Sequence, residues 1–195
     1  MTETSRHLLI VLSSIITISA TVPYILDILK RKTKPRVVSW FTWTILTGIS
    51  AAASLSDHQY AAGILSLSAS IECMAVVLLG LKYGEKEFAA FDIYCQISAI
   101  VGLILWFIFN TSAVAIIASI IIDLVSSLPT LKHAWEKPAE ETWITFALSS
   151  LGASFAAFAA TSTHITALAN PIYIIAINVT FTAVLLLRHK ITRVL

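Results

Sequence analysis

The sequence predicts an all-α membrane protein of seven transmembrane helices, arranged as a 3+1+3 parallel repeat of three-helix bundles. Composition, the spacing of apolar runs and a doubled set of loop residues predict it. Of 195 residues, 57% are hydrophobic and 12% are charged, and the mean hydropathy is +0.86. That is too apolar for a soluble domain to enclose in one core. A span takes about 20 apolar residues, so seven spans and their loops use nearly the whole chain. The net charge is only +2, and the basic residues sit at helix ends, where they suit lipid headgroups. Nucleic acid is excluded as a partner.

The first apolar run, 8–29, is longer than the roughly 7–15 residues of a signal-peptide core. Its basic cluster follows it, so it reads as a retained helix. Further runs at 38–56, 60–82, 91–110, 112–132, 142–160 and 165–187 supply the other six spans. Residues 1–83 form the first bundle, 84–111 the linker helix that is the fourth span, and 112–195 the second bundle. Between the first two spans lie Lys30, Arg31, Lys32, Lys34 and Arg36; the third and fourth are separated by Lys82 and Lys86. Lys132 and Lys137 lie between the fifth and sixth, and Arg188, Lys190 and Arg193 end the chain. All these segments fall on one side, and only Arg6 falls on the other. The positive-inside rule therefore places the N-terminus out and the C-terminus in.

The two longest loops on the basic side repeat one another. Pro23 to Trp40 reads PYILDILKRKTKPRVVSW, and Pro129 to Trp143 reads PTLKHAWEKPAEETW. Each has a proline near a helix end, then Lys-Pro, then a hydroxyl residue and Trp: Lys34-Pro35 answers Lys137-Pro138, and Ser39-Trp40 answers Thr142-Trp143. Downstream, 75–79 (AVVLL) resembles 183–187 (AVLLL). A single helix between two three-helix units makes the units point the same way across a membrane.

On these residues the chain resembles the PQ-loop superfamily, which includes the SWEET sugar transporters, their half-size bacterial relatives, lysosomal amino-acid exporters and KDEL receptors. The carrying motifs are Val22-Pro23-Tyr24, Lys30 to Lys34 and Ser39-Trp40, then Leu128-Pro129-Thr130 and Thr142-Trp143. The Pro-Gln dipeptide itself is absent, with Tyr24 and Thr130 in place of Gln. The resemblance implies hinges at Pro23 and Pro129. It also implies a substrate-binding Asn on the third helix of a half, here Asn178, which the apolar match sets opposite Ser70.

Two acids fall in mid-span, Glu72 in the third and Asp123 in the fifth. An unpaired charge there costs at least about 2.5 kcal/mol, so each is read either as a proton- or cation-binding carboxylate or as a protonated partner in an interhelical hydrogen bond. Aligning the prolines pairs Asp123 with Thr17. Trp40 and Trp43 share a helix face, as do Trp143 and Phe146. Trp40 and Trp143 read as headgroup anchors, and Trp43 and Phe146 as a pocket wall or inner gate. Tyr173, with Asn170-Pro171, marks a place where the seventh helix can break and expose backbone to a cavity. Asp27, Asp92, Glu136, Glu140 and Glu141 lie at helix ends, where a solvated charge or a helix-start role explains them. His58 and His164 read as solvated loop residues, Cys73 and Cys95 as core thiols, and Asn110-Thr111-Ser112 fits the short glycosylation pattern.

No nucleophile with a partnered base, no phosphate loop and no metal-ligand spacing is present, so neither an enzyme nor a cofactor is expected. The last span lacks a Lys for retinal. The expected function is transport of a small polar solute, with or without proton coupling. Asp123, Glu72 and Asn178 would bind it, with Trp43, Phe146, Thr17, Ser70 and Tyr173 around them. A ligand-binding receptor like the KDEL receptors, or a vitamin carrier of the nicotinamide-riboside type, is the alternative. The expected setting is a multi-pass position in a bilayer, plasma membrane in a bacterium or organellar in a eukaryote; a homo-oligomer is left open.

Overall fold

The computed structural model describes residues 2–56, 58, 60–85, 89–109, 112–160 and 165–192. Lys86, Asn110, Thr111, His164 and Arg193 lie outside the described residues. All regular structure among the described residues is helical: α1 (Glu3–Leu29), α2 (Val37–Ser56), α3 (Tyr60–Tyr83), α4 (Ala90–Phe109), α5 (Ser112–Glu136), a 3₁₀ turn (Pro138–Glu140), α6 (Trp143–Ala159) and α7 (Ile165–Thr192). α1 starts five residues before the apolar run because Thr2 caps it, its hydroxyl accepting from Ser5 N–H at 3.2 Å with Glu3 in the first turn. α7 runs past residue 187 because His189 and Lys190 suit the negative end of its dipole. It also passes unbroken through Pro171, which corrects the expectation of a break at Asn170-Pro171.

Four segments, Glu3–Leu29, Ile64–Tyr83, Ile117–Glu136 and Leu168–Ile191, are long and apolar enough to cross a membrane; shorter apolar helices lie at Val37–Ala52, Ala90–Val101 and Trp143–Ala159. Large apolar side chains such as Leu8, Ile71, Leu78 and Phe158 point outward. Water would not favour so much exposed hydrocarbon, and lipid would. Length and composition thus place the chain with integral membrane proteins.

Helix contacts close into a ring, in the order α1, α3, α2, α5, α7, α6 and back to α1. In both triplets the third helix packs between the other two. Among the described residues the backbone of α1 does not come close to that of α2, nor that of α5 to that of α6. α4 packs on α5 and lightly on α2. The α1–α6 seam is close because Gly152 has no side chain. A Cβ there would collide with the Thr17 hydroxyl and come within 3.4 Å of Ser13 O. The Ser13 hydroxyl donates to Gly152 O at 2.8 Å, fixing the approach. The buried core, including Tyr24, Ile28, Trp40, Val76, Phe146, Phe181 and Leu185, gathers at the Lys/Arg end of the ring.

Candidate functional site

The ring encloses a cavity of about 380 Å³. All six ring helices line it, and α4 does not. The wall includes Thr17 and Thr21 of α1, Trp43 and Leu46 of α2, Ala69, Glu72 and Cys73 of α3, Asp123 and Ser127 of α5, Phe146 and Ser149 of α6, and Ile174, Ile177 and Asn178 of α7. Thr17 and Asn170 are exposed along it, while Trp40 and Phe146, at the Lys/Arg end, are 4% and 3% exposed. A smaller cavity of about 130 Å³ between α1 and α3 shares Ser13, Thr17, Ala69 and Glu72, so Glu72 borders both.

Asp123 is oriented by its surroundings. The Tyr173 hydroxyl donates to Asp123 Oδ2 at 2.6 Å, and Ser127, one turn along α5, donates to the same oxygen at 3.5 Å. Glu72 has the Thr21 hydroxyl beside it. Asn178 donates through Nδ2 to Ile174 O of its own helix at 2.9 Å, so that bond does not join two helices. The Thr145 hydroxyl and the Trp43 indole N–H, both on the cavity wall, are buried without a full hydrogen bond, the indole being turned toward Asp123. A buried donor left unpaired costs about 1–3 kcal/mol, so these groups are ready for a polar guest.

Aromatic rings close the Lys/Arg end. Phe146 stacks on Phe181 with centroids 4.4 Å apart, Tyr24 leans on Trp40 at 4.7 Å, and Trp40 meets Trp43 edge-on at 5.0 Å. Below them a polar layer ties the triplets together. The Tyr24 hydroxyl donates to Glu141 Oε2 at 2.7 Å. Thr142 donates to Asp27 Oδ2 at 3.0 Å and lies 2.6 Å from the Thr33 hydroxyl. Thr142 has one proton and gives it to Asp27, so Thr33 must be the donor to Thr142. Lys34 pairs with Glu140 through its side chain and donates its N–H to Glu140 O at 2.9 Å. Arg36 pairs with Asp92 at the start of α4. Burial pushes the Glu141 carboxyl up to about 8; the Tyr24 hydrogen bond opposes this, Glu140 adds to it and Arg36 opposes it.

Several sequence expectations are corrected. Asp92 and Glu141 are not solvated, being 1% and 5% exposed with partners from distant segments in place of water; Asp92 does fill the helix-start role, accepting from Ala89 N–H at 2.9 Å. Trp40 is a buried part of the aromatic closure and not a headgroup anchor, whereas Trp143 is 40% exposed. Ser70 does not line the cavity; its hydroxyl donates to Thr44 O on α2 at 2.9 Å. Tyr173 reaches the site through Asp123 and is not part of the wall. His58 is exposed, with φ of 59°. Asp123, Glu72, Asn178, Trp43, Phe146 and Thr17 all meet at the cavity. Pro23 and Pro129 lie inside α1 and α5, beyond the wall. Sequence reasoning missed the hydroxyl lining of Ser13, Thr21, Thr47, Ser127, Thr145 and Ser149; their helical spacing was the available signal.

The lining residues keep a common register between triplets. Thr17 and Thr21 stand to Asp123 and Ser127 at the spacing that separates Pro23 from Pro129. Trp43 and Leu46 stand to Phe146 and Ser149 at the spacing of Trp40 and Trp143. On the third helices, Ala69, Glu72 and Cys73 stand at one constant spacing from Ile174, Ile177 and Asn178. The place opposite Asn178 is therefore Cys73, one turn from Ser70. Against protein-family models, curated proteins and solved structures, the chain finds no match.

Proposed function

We propose that the protein is a seven-span membrane carrier, N-terminus out and C-terminus in, that moves a small polar solute by alternating access between its two triplets. The observation that carries this reading is the cavity itself. Both triplets build it, it holds two carboxylates and unpaired donors, and interlocked aromatic rings stop it at one end. The common register of the lining and the shared packing order favour a parallel duplication. The one-sided distribution of Lys and Arg favours the orientation.

In this reading the solute sits between Asp123 and Glu72 and hydrogen-bonds to Asn178 and the wall hydroxyls. Two acids suit a solute with a cationic or donor-rich group, or a proton moving with it, better than a neutral sugar alone. Sugars, amino acids and nicotinamide-riboside-type vitamins are the classes to test. Pro23 and Pro129 act as hinges, because each removes a helix hydrogen bond where the basic-side ends of α1 and α5 must swing.

A cavity stopped at one end also fits a receptor that binds a ligand without moving it. Proteoliposomes loaded with buffer and given labelled members of each class, with and without an inward proton gradient, separate the two. Saturable uptake sensitive to Asp123→Asn is expected. Binding without accumulation would replace the carrier reading with the receptor one.

A further inference from the structure

We propose that Glu85, His133 and Glu140 form a binding site for a divalent metal ion of the zinc type. The three come from different elements: Glu85 follows α3, His133 is in the last turn of α5 and Glu140 ends the 3₁₀ turn. One ligand atom from each lies within 4.8 Å of the others. Nearness alone would describe any cluster of acids.

The unsatisfied atoms point to a ligand. His133 is 4% exposed, and its Nε2 has no hydrogen-bond partner. Glu140 Oε2 is likewise buried and unpaired. The two atoms face one another at 3.5 Å, too far apart and too poorly aligned for a direct hydrogen bond. A zinc ion with bonds of about 2.0–2.2 Å holds neighbouring tetrahedral ligands roughly 3.4 Å apart, which is the gap observed. Lys34 occupies the other Glu140 oxygen, so its ion pair and a metal can coexist. Lys137 holds Glu85 Oε2 at 2.6 Å and competes with the ion, which keeps the affinity modest.

One imidazole with two carboxylates selects a first-row transition ion over calcium or magnesium, which favour all-oxygen shells. A third cavity of about 200 Å³, lined by Arg36, Glu85, Asp92, Lys132, His133 and Lys137 among others, gives an ion a path to Glu85 and His133. Once bound, the ion staples the end of the first triplet to the second, next to the aromatic closure. The site stands or falls independently of any transported solute.

The test is Zn²⁺ binding by the purified full chain in detergent, measured by competition with a chromogenic chelator. His133→Gln, Glu85→Gln and the distant His7→Gln are compared with the unsubstituted chain. One ion per chain is expected, weakened on the order of tenfold or more in the first two variants and unchanged in the third. Zinc-edge X-ray absorption should show one imidazole among oxygen ligands, and saturating Zn²⁺ should raise the Tm of the unsubstituted protein. These last two readouts do not depend on any variant folding. No binding by the unsubstituted chain, equal binding by His133→Gln and Glu85→Gln, or loss of binding in His7→Gln would each overturn the site.

Discussion

The closed end of the ring and the middle of the cavity differ in how their polar groups are tied. At the closed end, Tyr24 meets Glu141, Thr33 meets Thr142 and Asp27, Lys34 meets Glu140, and Arg36 meets Asp92. Nearly every one of these ties joins segments far apart in the chain. In the middle such ties are fewer: Thr145 lacks a partner, and among the described residues Asp123 is held by Tyr173 and Ser127, with the Trp43 indole turned toward it. Ties between distant segments rigidify the closed end, although Trp40 Nε1, His133 Nε2, Glu140 Oε2 and Glu141 Oε1 there are also buried without partners.

The sharpest way to break that comparison is at Asp123. Asp123→Asn should insert normally and lower proteoliposome uptake on the order of tenfold or more, because a positioned charge is lost from the guest's side. Unchanged uptake and pH dependence would reduce Asp123 to an interhelical tie.

Next in size is Glu141, whose pKa is about 8 in the folded chain against a reference of 4.5. Between those values the folded form holds the proton and the unfolded form has lost it, so stability is full below the lower value and falls as pH rises toward 8. Melting followed from pH 5 to 9 should show that decline in the native chain and a flatter profile in Glu141→Gln. Parallel profiles would remove Glu141 from the closure.

Tyr24→Phe leaves the buried Glu141 without its donor, at a cost of about 1–3 kcal/mol, visible as a lower unfolding midpoint. Smallest is Ser13→Ala on the α1–α6 seam, roughly 0.6 kcal/mol. Gly152→Val at the same seam should cost more, since its side chain meets Thr17 and the α1 backbone. Should Ser13→Ala exceed Tyr24→Phe, the seam and not the closed end would be the stronger tie between the triplets.

The helices were legible because the apolar runs recur along the chain, four of the helices being long and apolar enough to cross a membrane. Asp123, Glu72 and Asn178 were legible because polar residues within such runs stand out. The closing layer was not. Asp92 and Glu141 look like ordinary helix-end acids until Arg36 and Tyr24 arrive from distant segments. Ser70 shows a different failure. The match of 75–79 with 183–187 sets a register one turn away from that of the cavity lining, and residues three apart share a helix face, so an apolar match alone misplaces the polar partner. Only the polar lining positions and the prolines fix the register.

The order of helices around the ring also constrains synthesis. α1 finds its main neighbour only when α6 has been made, and α2, already packed on α3, gains its contact with the second triplet only from α5. Until then Thr17, Glu72 and the open face of the first triplet have no protein wall before them, although lipid is a poor host for a carboxylate. Cavity formation is thus among the last events of assembly. Premature termination after α4 would leave a fragment with its polar face bare in the bilayer, a clear substrate for quality-control proteolysis.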